Sequence, residues 1–337
     1  MRICGYIAMV LLGYNVILDS LMVNASINLS TAVLIRVDQS GKGNFKTIQA
    51  AIDSVPSNNS HLIFIWVKPG TYSEKVVVPA DKPFITLSGT NNKASETIIS
   101  WSDGGDIYDS PTLSVLASDF VGRYLTIQNT YGSGDKAVAL RVSGDRAAFY
   151  GCRILSYQDT VLDEIGSHYY SNCYIEGATD FICGNAASLF QRCHVHSISK
   201  NNGSITAQHR DSESQNTGFT FLGCKITGNG SAYLGRPWGA YSRVVFALSY
   251  MSGVIVPLGW DSWSGQTKQS TVYYGEYKNY GAGADRSQRV QWSHNLAAEE
   301  VAPFLSKDMI GGPHWLRPNP TYFKSGSITI KSHLRHS

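Results

Sequence analysis

The sequence predicts an all-β fold, a solenoid of the parallel β-helix type, on three observations. Four segments share one pattern, in which aromatic or apolar residues precede a cysteine, a polar residue and then Ile or Val: AFYGCRIL, HYYSNCYI, SLFQRCHV and FTFLGCKI. Gly- and Asn-rich turns join these units, and few segments between them show helical periodicity. Since one coil cannot bury its inner face alone, stacked coils would form a continuous core. A β-sandwich with a chance repeat is the alternative.

A short helix is predicted near the N-terminus, in the segment KTIQAAIDSVP. Thr47 is a candidate N-cap and Pro56 ends the segment. Four apolar residues share one face of this helix: Ile48, Ala51, Ile52 and Val55. We expect the helix to cap the open end of the solenoid, because exposed strands there would invite pairing with other chains. From about Leu296 onward the pattern is irregular, and we expect this part to pack along the outside.

Composition and the first residues indicate an exported globular protein. The chain has 337 residues, 43% of them hydrophobic and 16% charged, and its net charge of +3 suits an acidic partner better than a basic one. Arg2, an apolar run and small residues predict a signal peptide at 1–25, leaving 26–337 as a single domain with no membrane segment. A membrane anchor is the alternative, but Asn15 and Asp19 interrupt the apolar run.

Export predicts glycosylation and disulfide-permissive conditions. N-x-S/T triplets begin at Asn28, Asn58, Asn202 and Asn229. Of the six cysteines, Cys4 would leave with the signal peptide. An odd number then remains, so at least one thiol is unpaired.

Two aspartates occupy matching positions in the repeat. Asp159 follows Cys152 by seven residues, and Asp180 follows Cys173 by seven. On successive coils the two would lie about 4.8 Å apart. Such a pair does not readily carry two charges, so one member should hold a proton while the other stays ionised. These are the roles of acid and nucleophile in a carboxylate-based hydrolase, although a retaining glycosidase could use the same pair.

The segment AYLGRPWGAYSR supplies a candidate cation. Arg236 stands between Gly235 and Pro237, in a rigid turn that would aim its guanidinium at the pair and keep one aspartate ionised. A solvated surface arginine is the alternative. Trp238, Trp260 and Trp263 are candidates for stacking on sugar rings, although tryptophan in a β fold is more often part of the core.

Five ordered motifs resemble the plant pectin methylesterases, or pectinesterases, of carbohydrate esterase family 8: GTYSE (70–74), KAVAL (136–140), YQDTV (157–161), DFICG (180–184) and LGRPW (234–238). The similarity runs from about Val33 to Phe323. It implies a single-stranded right-handed parallel β-helix that hydrolyses methyl esters of polygalacturonate to pectate and methanol. No metal or other cofactor is expected, and we interpret His194 and His196 as surface histidines. The chain resembles the short form, without the inhibitor-like N-terminal extension.

The resemblance also implies residue roles. Asp180 would be the nucleophile, and Asp159 would protonate the leaving methanol and then activate water. Arg236 would hold Asp180 ionised. Gln158 would donate a hydrogen bond to the oxyanion, and Lys136 would lie beside it in the oxyanion site. The implied substrate-binding residues are Tyr157, Lys136, Arg236, Trp238 and Trp260. A disulfide between Cys193 and Cys224 is implied as well, while the states of Cys152, Cys173 and Cys183 stay open.

The implied setting is the plant cell wall. The protein would be secreted, would act on methyl-esterified pectin as a monomer, and could bind a proteinaceous pectinesterase inhibitor. Neither nucleic acid nor a membrane is an expected partner.

Three residues depart from the family pattern. The family usually has Phe at Cys183, a bulky residue at Thr179 and Gln at Lys136. Lys136 touches the oxyanion site, where it could donate to the oxyanion or tie Asp180 down in a salt bridge, and we expect a slower esterase. The alternatives are a pectin-binding homologue with weakened catalysis, or a pectate lyase or polygalacturonase on the same fold. The sequence matches neither the calcium-binding acidic cluster of a pectate lyase nor the carboxylate set of a polygalacturonase.

Overall fold

The computed structural model describes residues 31–263 and 268–325, and the predicted signal peptide and Asn28 lie outside these ranges. Three parallel sheets wrap around one core, as predicted for a parallel β-helix. Sheet A has twelve strands, sheet B eight and sheet C seven. Successive coils contribute one strand to each sheet in the order A, B, C, and strands of neighbouring coils pair in register. The predicted fold is confirmed.

The strands of the N-terminal half build the first coils. They are β1 Thr31–Val37, β2 Ile63–Val67, β3 Gly70–Tyr72, β4 Val76–Val78, β5 Ile85–Gly89, β6 Thr97–Trp101, β7 Leu113–Val115, β8 Val121–Arg123, β9 Thr126–Asn129, β10 Leu140–Val142, β11 Ala147–Tyr150, β12 Arg153–Leu155 and β13 Val161–Asp163. Sheet A contains β1, β2, β5, β8 and β11, sheet B contains β3, β6, β9 and β12, and sheet C contains β4, β7, β10 and β13.

The strands of the C-terminal half continue the same three sheets. They are β14 Ser167–Ser171, β15 Tyr174–Gly177, β16 Ile182–Gly184, β17 Ala187–Gln191, β18 His194–Ser197, β19 Gly203–Gln208, β20 Gly218–Leu222, β21 Lys225–Gly228, β22 Ala232–Gly235, β23 Arg243–Ala247, β24 Tyr250–Met251, β25 Tyr273–Tyr277, β26 His294–Asn295 and β27 Tyr322–Ser325. Sheet A takes β14, β17, β20, β23, β25, β26 and β27, sheet B takes β15, β18, β21 and β24, and sheet C takes β16, β19 and β22.

Helices are few and lie at the two ends of the chain. Helix α1 spans Ile48–Asp53, and Thr47 Oγ1 accepts a hydrogen bond from the Ala50 amide at 3.3 Å. Its apolar face joins the main core and contacts β1 and β4, the first strands of sheets A and C. The predicted cap and its buried face are confirmed. No helix within the described ranges is long and apolar enough to cross a membrane.

The C-terminal segment packs on the outer face of sheet A, as expected. It contains α2 Ala298–Val301, α3 Gly312–Trp315 and the 3₁₀ turns Ala302–Phe304 and Lys307–Ile310. Val301 and Ile310 pack against Leu189 and Val245, whose side chains leave the sheet on the side away from the main core. Strand β27 then pairs with β1, so the end of the described chain extends sheet A at its N-terminal edge.

Identical inward positions of successive coils form ladders in the core. In sheet A the rings of Tyr170, Phe190, Phe221 and Phe246 stack with centroid separations of 4.5, 4.6 and 4.4 Å and interplanar angles of 9°, 8° and 9°. The strand register dictates this column, since Tyr170 pairs with Phe190, and Phe190 with Phe221. Burial of apolar rings in the column is a main source of stability.

The cysteines of the repeat form a second ladder, in which the structure does not form the implied disulfide. All five cysteines from Cys152 to Cys224 are buried free thiols. Cys193 and Cys224 occupy equivalent positions on neighbouring coils, each directly before residues that pair in register, and no disulfide joins them. Each thiol instead lies against a carbonyl of the preceding coil, at 3.5 Å for Cys193 with Tyr170 and 3.2 Å for Cys224 with Phe190.

Three of the predicted glycosylation sites and the two histidines lie on the outside of the solenoid. Asn58, Asn202 and Asn229 lie in turns at the surface, and their glycosylation stays a prediction. His194 and His196 are half-buried on the outer face of sheet B, and both bond to Thr227 Oγ1 at 2.7 Å.

The aromatic ladder generates a stability prediction. Phe190→Ala should lower the free energy of unfolding by about 3–5 kcal/mol, because it opens a cavity between two stacked rings. Tyr131→Ala is the matched control, since that ring is 46% exposed and should change stability by less than about 0.5 kcal/mol. Denaturant unfolding of both variants measures the difference; equal values would mean that the column adds no stability.

Candidate active site

A cleft of about 450 Å³ lies against the outer side of sheet C. Its walls combine carboxylates, cations and aromatic rings: Asp106, Ile107, Tyr108, Lys136, Gln158, Asp159, Asp180, Cys183, Ala207, Arg236, Trp238 and Trp263. All five predicted catalytic residues are among them. The cleft is therefore the place where the motifs that are separate in the sequence come together.

Asp159 and Asp180 occupy equivalent positions on neighbouring coils, as the repeat predicts. Val161 of β13 pairs with Ile182 of β16, and Gln158 forms a parallel bridge with Thr179. This register sets the two aspartates side by side, with their backbones about 4.8 Å apart. Both have a left-handed backbone, with φ of 58° for Asp159 and 49° for Asp180. That conformation costs on the order of 1 kcal/mol for a residue other than glycine, and it recurs at turns of other coils, for example at Asn172 and Arg192.

Arg236 clamps Asp180. It follows β22 directly, and a Cβ on the preceding Gly235 would collide with Thr206 Oγ1, so only glycine allows this close passage. The guanidinium donates from Nε to Asp180 Oδ1 at 2.8 Å and from Nη2 to Oδ2 at 2.6 Å. Bidentate pairs of this geometry are strong and fix the orientation of the carboxylate. The Trp263 ring covers the other side of the guanidinium, 4.0 Å from Cζ.

Burial and the arginine separate the protonation states of the two aspartates. Asp159 is 8% exposed and Asp180 is 5% exposed. Burial, followed by the negative charge of Asp180, raises the pKa of Asp159 from 3.8 to about 7, against the lowering effect of Lys136 and Arg236. Burial also raises the pKa of Asp180, but the two hydrogen bonds and the charge of Arg236 oppose that rise. Asp159 therefore keeps its proton as pH rises toward about 7, whereas the arginine favours the carboxylate form of Asp180.

Lys136 and Gln158 face the cleft on the side of Asp159. The Lys136 carbonyl accepts from the Gly105 amide at 2.9 Å, which fixes the backbone before β10. Within the described residues the Lys136 ammonium makes no ion pair, and the Gln158 side-chain amide makes no hydrogen bond. The anticipated salt bridge between Lys136 and Asp180 is not formed, because Arg236 occupies both carboxylate oxygens. The charge of Lys136 acts on Asp159 instead.

The structure corrects two of the substrate-binding predictions. Trp260 is 1% exposed, stacks on Tyr274 at 4.3 Å and donates from Nε1 to Glu276 at 3.2 Å, so it belongs to the core and cannot touch a ligand. Tyr157 lines a separate depression of about 270 Å³ beside sheet B rather than the cleft. Trp238 does line the cleft, and its ring stacks on His209 at 4.2 Å.

The sequence did not indicate three further residues that line the cleft. Asp106, Ile107 and Tyr108 come from the loop between β6 and β7, which has no motif that could have indicated them. Tyr108 is held by Arg141, whose Cζ lies 4.8 Å from the ring centroid. The floor includes Cys183, which pairs with Ala207 of the next coil.

Asp159→Asn gives a test that does not depend on activity. The folded state favours neutral Asp159. The contribution of this preference to the free energy of unfolding is fully present below the ordinary pKa of 3.8, and it is lost as pH rises through the folded-state pKa of about 7. Asn stays neutral at every pH. The free energy of unfolding of the variant, relative to that of the natural protein, should therefore rise by about 1 kcal/mol or more between pH 4.5 and pH 8.5.

Thermal unfolding at both pH values measures this gap. Asp81→Asn is the control, because it makes the same substitution at an exposed carboxylate. A constant difference in Tm for Asp159→Asn across this range contradicts the raised pKa.

Comparison with known proteins agrees with the geometry. The Pectinesterase family profile matches residues 34–313. The chain is 66% identical over 303 residues to putative pectinesterase 11 of Arabidopsis thaliana, covering 89% of this chain and 86% of that protein. It superposes on the pectin methylesterase from carrot with a TM-score of 0.80 and 35% identity, covering 87% and 95% of the two chains. A pectin methylesterase in complex with a hexasaccharide matches with a TM-score of 0.71 and 27% identity, covering 88% and 99%. This chain belongs to the pectinesterase family.

Proposed function

We propose that this pectinesterase hydrolyses methyl esters of pectin through a covalent intermediate on Asp180. The observation that carries the proposal is the pairing of an arginine-clamped carboxylate, Asp180, with a neighbouring aspartate whose pKa is raised to about 7. One group is a ready nucleophile, and the other is a ready acid at the same pH.

In the first step, an Asp180 oxygen attacks the carbonyl carbon of the ester. Negative charge then develops on the carbonyl oxygen, where the Gln158 amide and the Lys136 ammonium supply donors. Collapse of this species breaks the bond to the methoxy group, which takes the proton of Asp159 and leaves as methanol. The products of the step are an anhydride between Asp180 and the sugar acid, and ionised Asp159.

In the second step, Asp159 acts as a base. It removes a proton from a water molecule, whose oxygen attacks the sugar-acid carbonyl of the anhydride. The carboxylate of Asp180 departs, the free sugar acid is released, and Asp159 is again protonated. Arg236 stays bonded to Asp180 through both steps, so the nucleophile and the leaving carboxylate keep one orientation.

The cleft suits a sugar polymer as substrate. Trp238, Trp263 and Tyr108 give it aromatic walls, which suit the apolar faces of sugar rings. The complex of a similar pectin methylesterase with a hexasaccharide supports an oligosaccharide as ligand. We further infer that the protein is secreted as a monomer to the plant cell wall, and that this open cleft is where a proteinaceous inhibitor would bind.

The alternatives weighed from the sequence are not favoured. The aspartate pair could serve a glycosidase, and a lyase would use calcium; family membership instead supports ester hydrolysis. Lys136 was the main argument for weakened catalysis, through a salt bridge to the nucleophile. Since Asp180 is bonded to Arg236, Lys136 leaves the nucleophile free.

Asp180→Asn tests the nucleophile. Asn keeps the shape but cannot form the anhydride, so methanol release from highly methylated pectin should fall at least about a thousandfold, which corresponds to about 4 kcal/mol of barrier. Circular dichroism should show an unchanged β fold, and Asp81→Asn should keep full activity. Retained methanol release in the Asp180 variant contradicts the mechanism, and chain cleavage without methanol by the natural protein contradicts the reaction.

Lys136→Gln tests how the lysine acts on Asp159. Its positive charge lowers the pKa of Asp159, so its removal should raise that pKa and move the alkaline limb of kcat/KM to higher pH. A shift of about half a unit would make the variant about threefold faster on that limb. Methanol release followed from pH 5 to 10 measures the limb, with the exposed Lys42→Gln as control. An unmoved limb with a lower rate at every pH would show that Lys136 serves the oxyanion and does not perturb the acid.

A further inference from the structure

The outer face of sheet B has an unusual column of side chains that the proposed reaction does not use. In-register pairing aligns outward positions of β12, β15, β18, β21 and β24, and a parallel bridge adds one more coil. The column, in order, is Arg153, Tyr174, His194, Lys225, Tyr250 and Tyr280. At about 4.8 Å per coil it is about 24 Å long.

The members of this column contact one another and leave rings and cations at the surface. Arg153 Cζ lies 4.6 Å from the Tyr174 ring centroid, and the Tyr174 and His194 rings meet edge to face at 5.1 Å. Tyr250 and Tyr280 lie 5.6 Å apart, and Tyr280 is 60% exposed. An exposed aromatic of this size, beside a second one, is a candidate platform for a sugar ring.

The charge of the face is positive. Within the described residues neither Arg153 nor Lys225 forms an ion pair, and Arg192 and Lys200 are exposed in the turns on either side of β18. The five strands of the face carry one acidic residue, Glu176, and its carboxylate accepts a hydrogen bond from the Tyr174 hydroxyl at 2.6 Å. The cations are thus free to meet an external anion.

The face also continues toward the catalytic motif. Leu155 and Glu176 lie on the outer side of sheet B, next to the column, and both line the depression of about 270 Å³ that contains Tyr157. Tyr157 directly precedes Gln158 in the chain. A polymer on this face would therefore lie on sheet B, adjacent to the cleft on sheet C.

We propose that the outer face of sheet B is a second, non-catalytic binding site for an acidic polysaccharide, namely polygalacturonate, the demethylated product of the reaction proposed above. The inference rests on that function for the identity of the polymer. Its carboxylates would meet Arg153 and Lys225, and its sugar faces would stack on Tyr250 and Tyr280. Binding there would keep the enzyme on regions that already carry free carboxylates.

The experiment measures binding of polygalacturonate to the Asp180→Asn protein, so that no turnover occurs. Adding Arg153→Gln and Lys225→Gln should raise the Kd at least fivefold at low salt, while Tyr280→Ala alone should raise it about threefold. The matched control is the pair Lys42→Gln and Lys46→Gln, which removes the same charge from exposed lysines before α1 and should change the Kd less than twofold. Thermal unfolding checks that each variant is folded.

Two further arms separate the possible outcomes. Polyglutamate, an anion without sugar rings, should bind at least fivefold more weakly than polygalacturonate; equal binding that is lost in the same variant would overturn the proposal in favour of a general anionic surface. With Asp180 restored, the Arg153 and Lys225 variant should release methanol from short methyl-esterified oligomers at the natural rate. An unchanged Kd in that variant overturns the second site, whereas absent methanol release from the natural protein overturns the proposed function alone.

Discussion

In-register pairing of parallel strands between coils is the constraint on which this structure depends. The same 21-residue step separates Cys152 from Cys173 and Asp159 from Asp180, so one repeat length aligns both a core position and a site position. A slip of one residue would exchange inner and outer faces, and it would turn both the aromatic column and the thiol ladder out of the core. The aspartate pair is thus held by the whole core rather than by local contacts.

Stacking two carboxylates has an electrostatic cost, and the surrounding coils supply the compensation. Arg236 directly follows β22, two coils beyond Asp180, and it satisfies both oxygens of that residue. No arginine clamps Asp159 among the residues that the structure describes, so burial and the neighbouring charge raise its pKa to about 7. The asymmetry between two residues in equivalent positions therefore comes from a single arginine that reaches one of them. Without it, burial would disfavour ionisation of both aspartates, and the nucleophile would be lost.

Sequence reasoning succeeded for features that periodicity or a motif dictates, and it failed where three-dimensional context decides. The fold, the Thr47 cap, the aspartate stack and the arginine at the site were all predicted from repeat spacing or a motif. Trp260 and Trp263 stand three residues apart with similar neighbours, yet Trp260 enters the core through a bridge to Gly235 while Trp263 covers Arg236. The implied Cys193–Cys224 disulfide is not formed in the structure, where both residues are free thiols. The loop with Tyr108 had no pattern to indicate it.

The three outer faces of the solenoid differ because only the inner face is constrained to be apolar. Sheet A is covered by the C-terminal segment, through contacts such as those of Val301 and Ile310. Sheet C carries the buried aspartates and their arginine. On sheet B, the register that stacks phenylalanines inside sheet A stacks cations and tyrosines on the outer face. One repeat can therefore build a stable core, a reactive cleft and an extended surface matched to the polymer, since each needs only a change of residue at a fixed position in the coil.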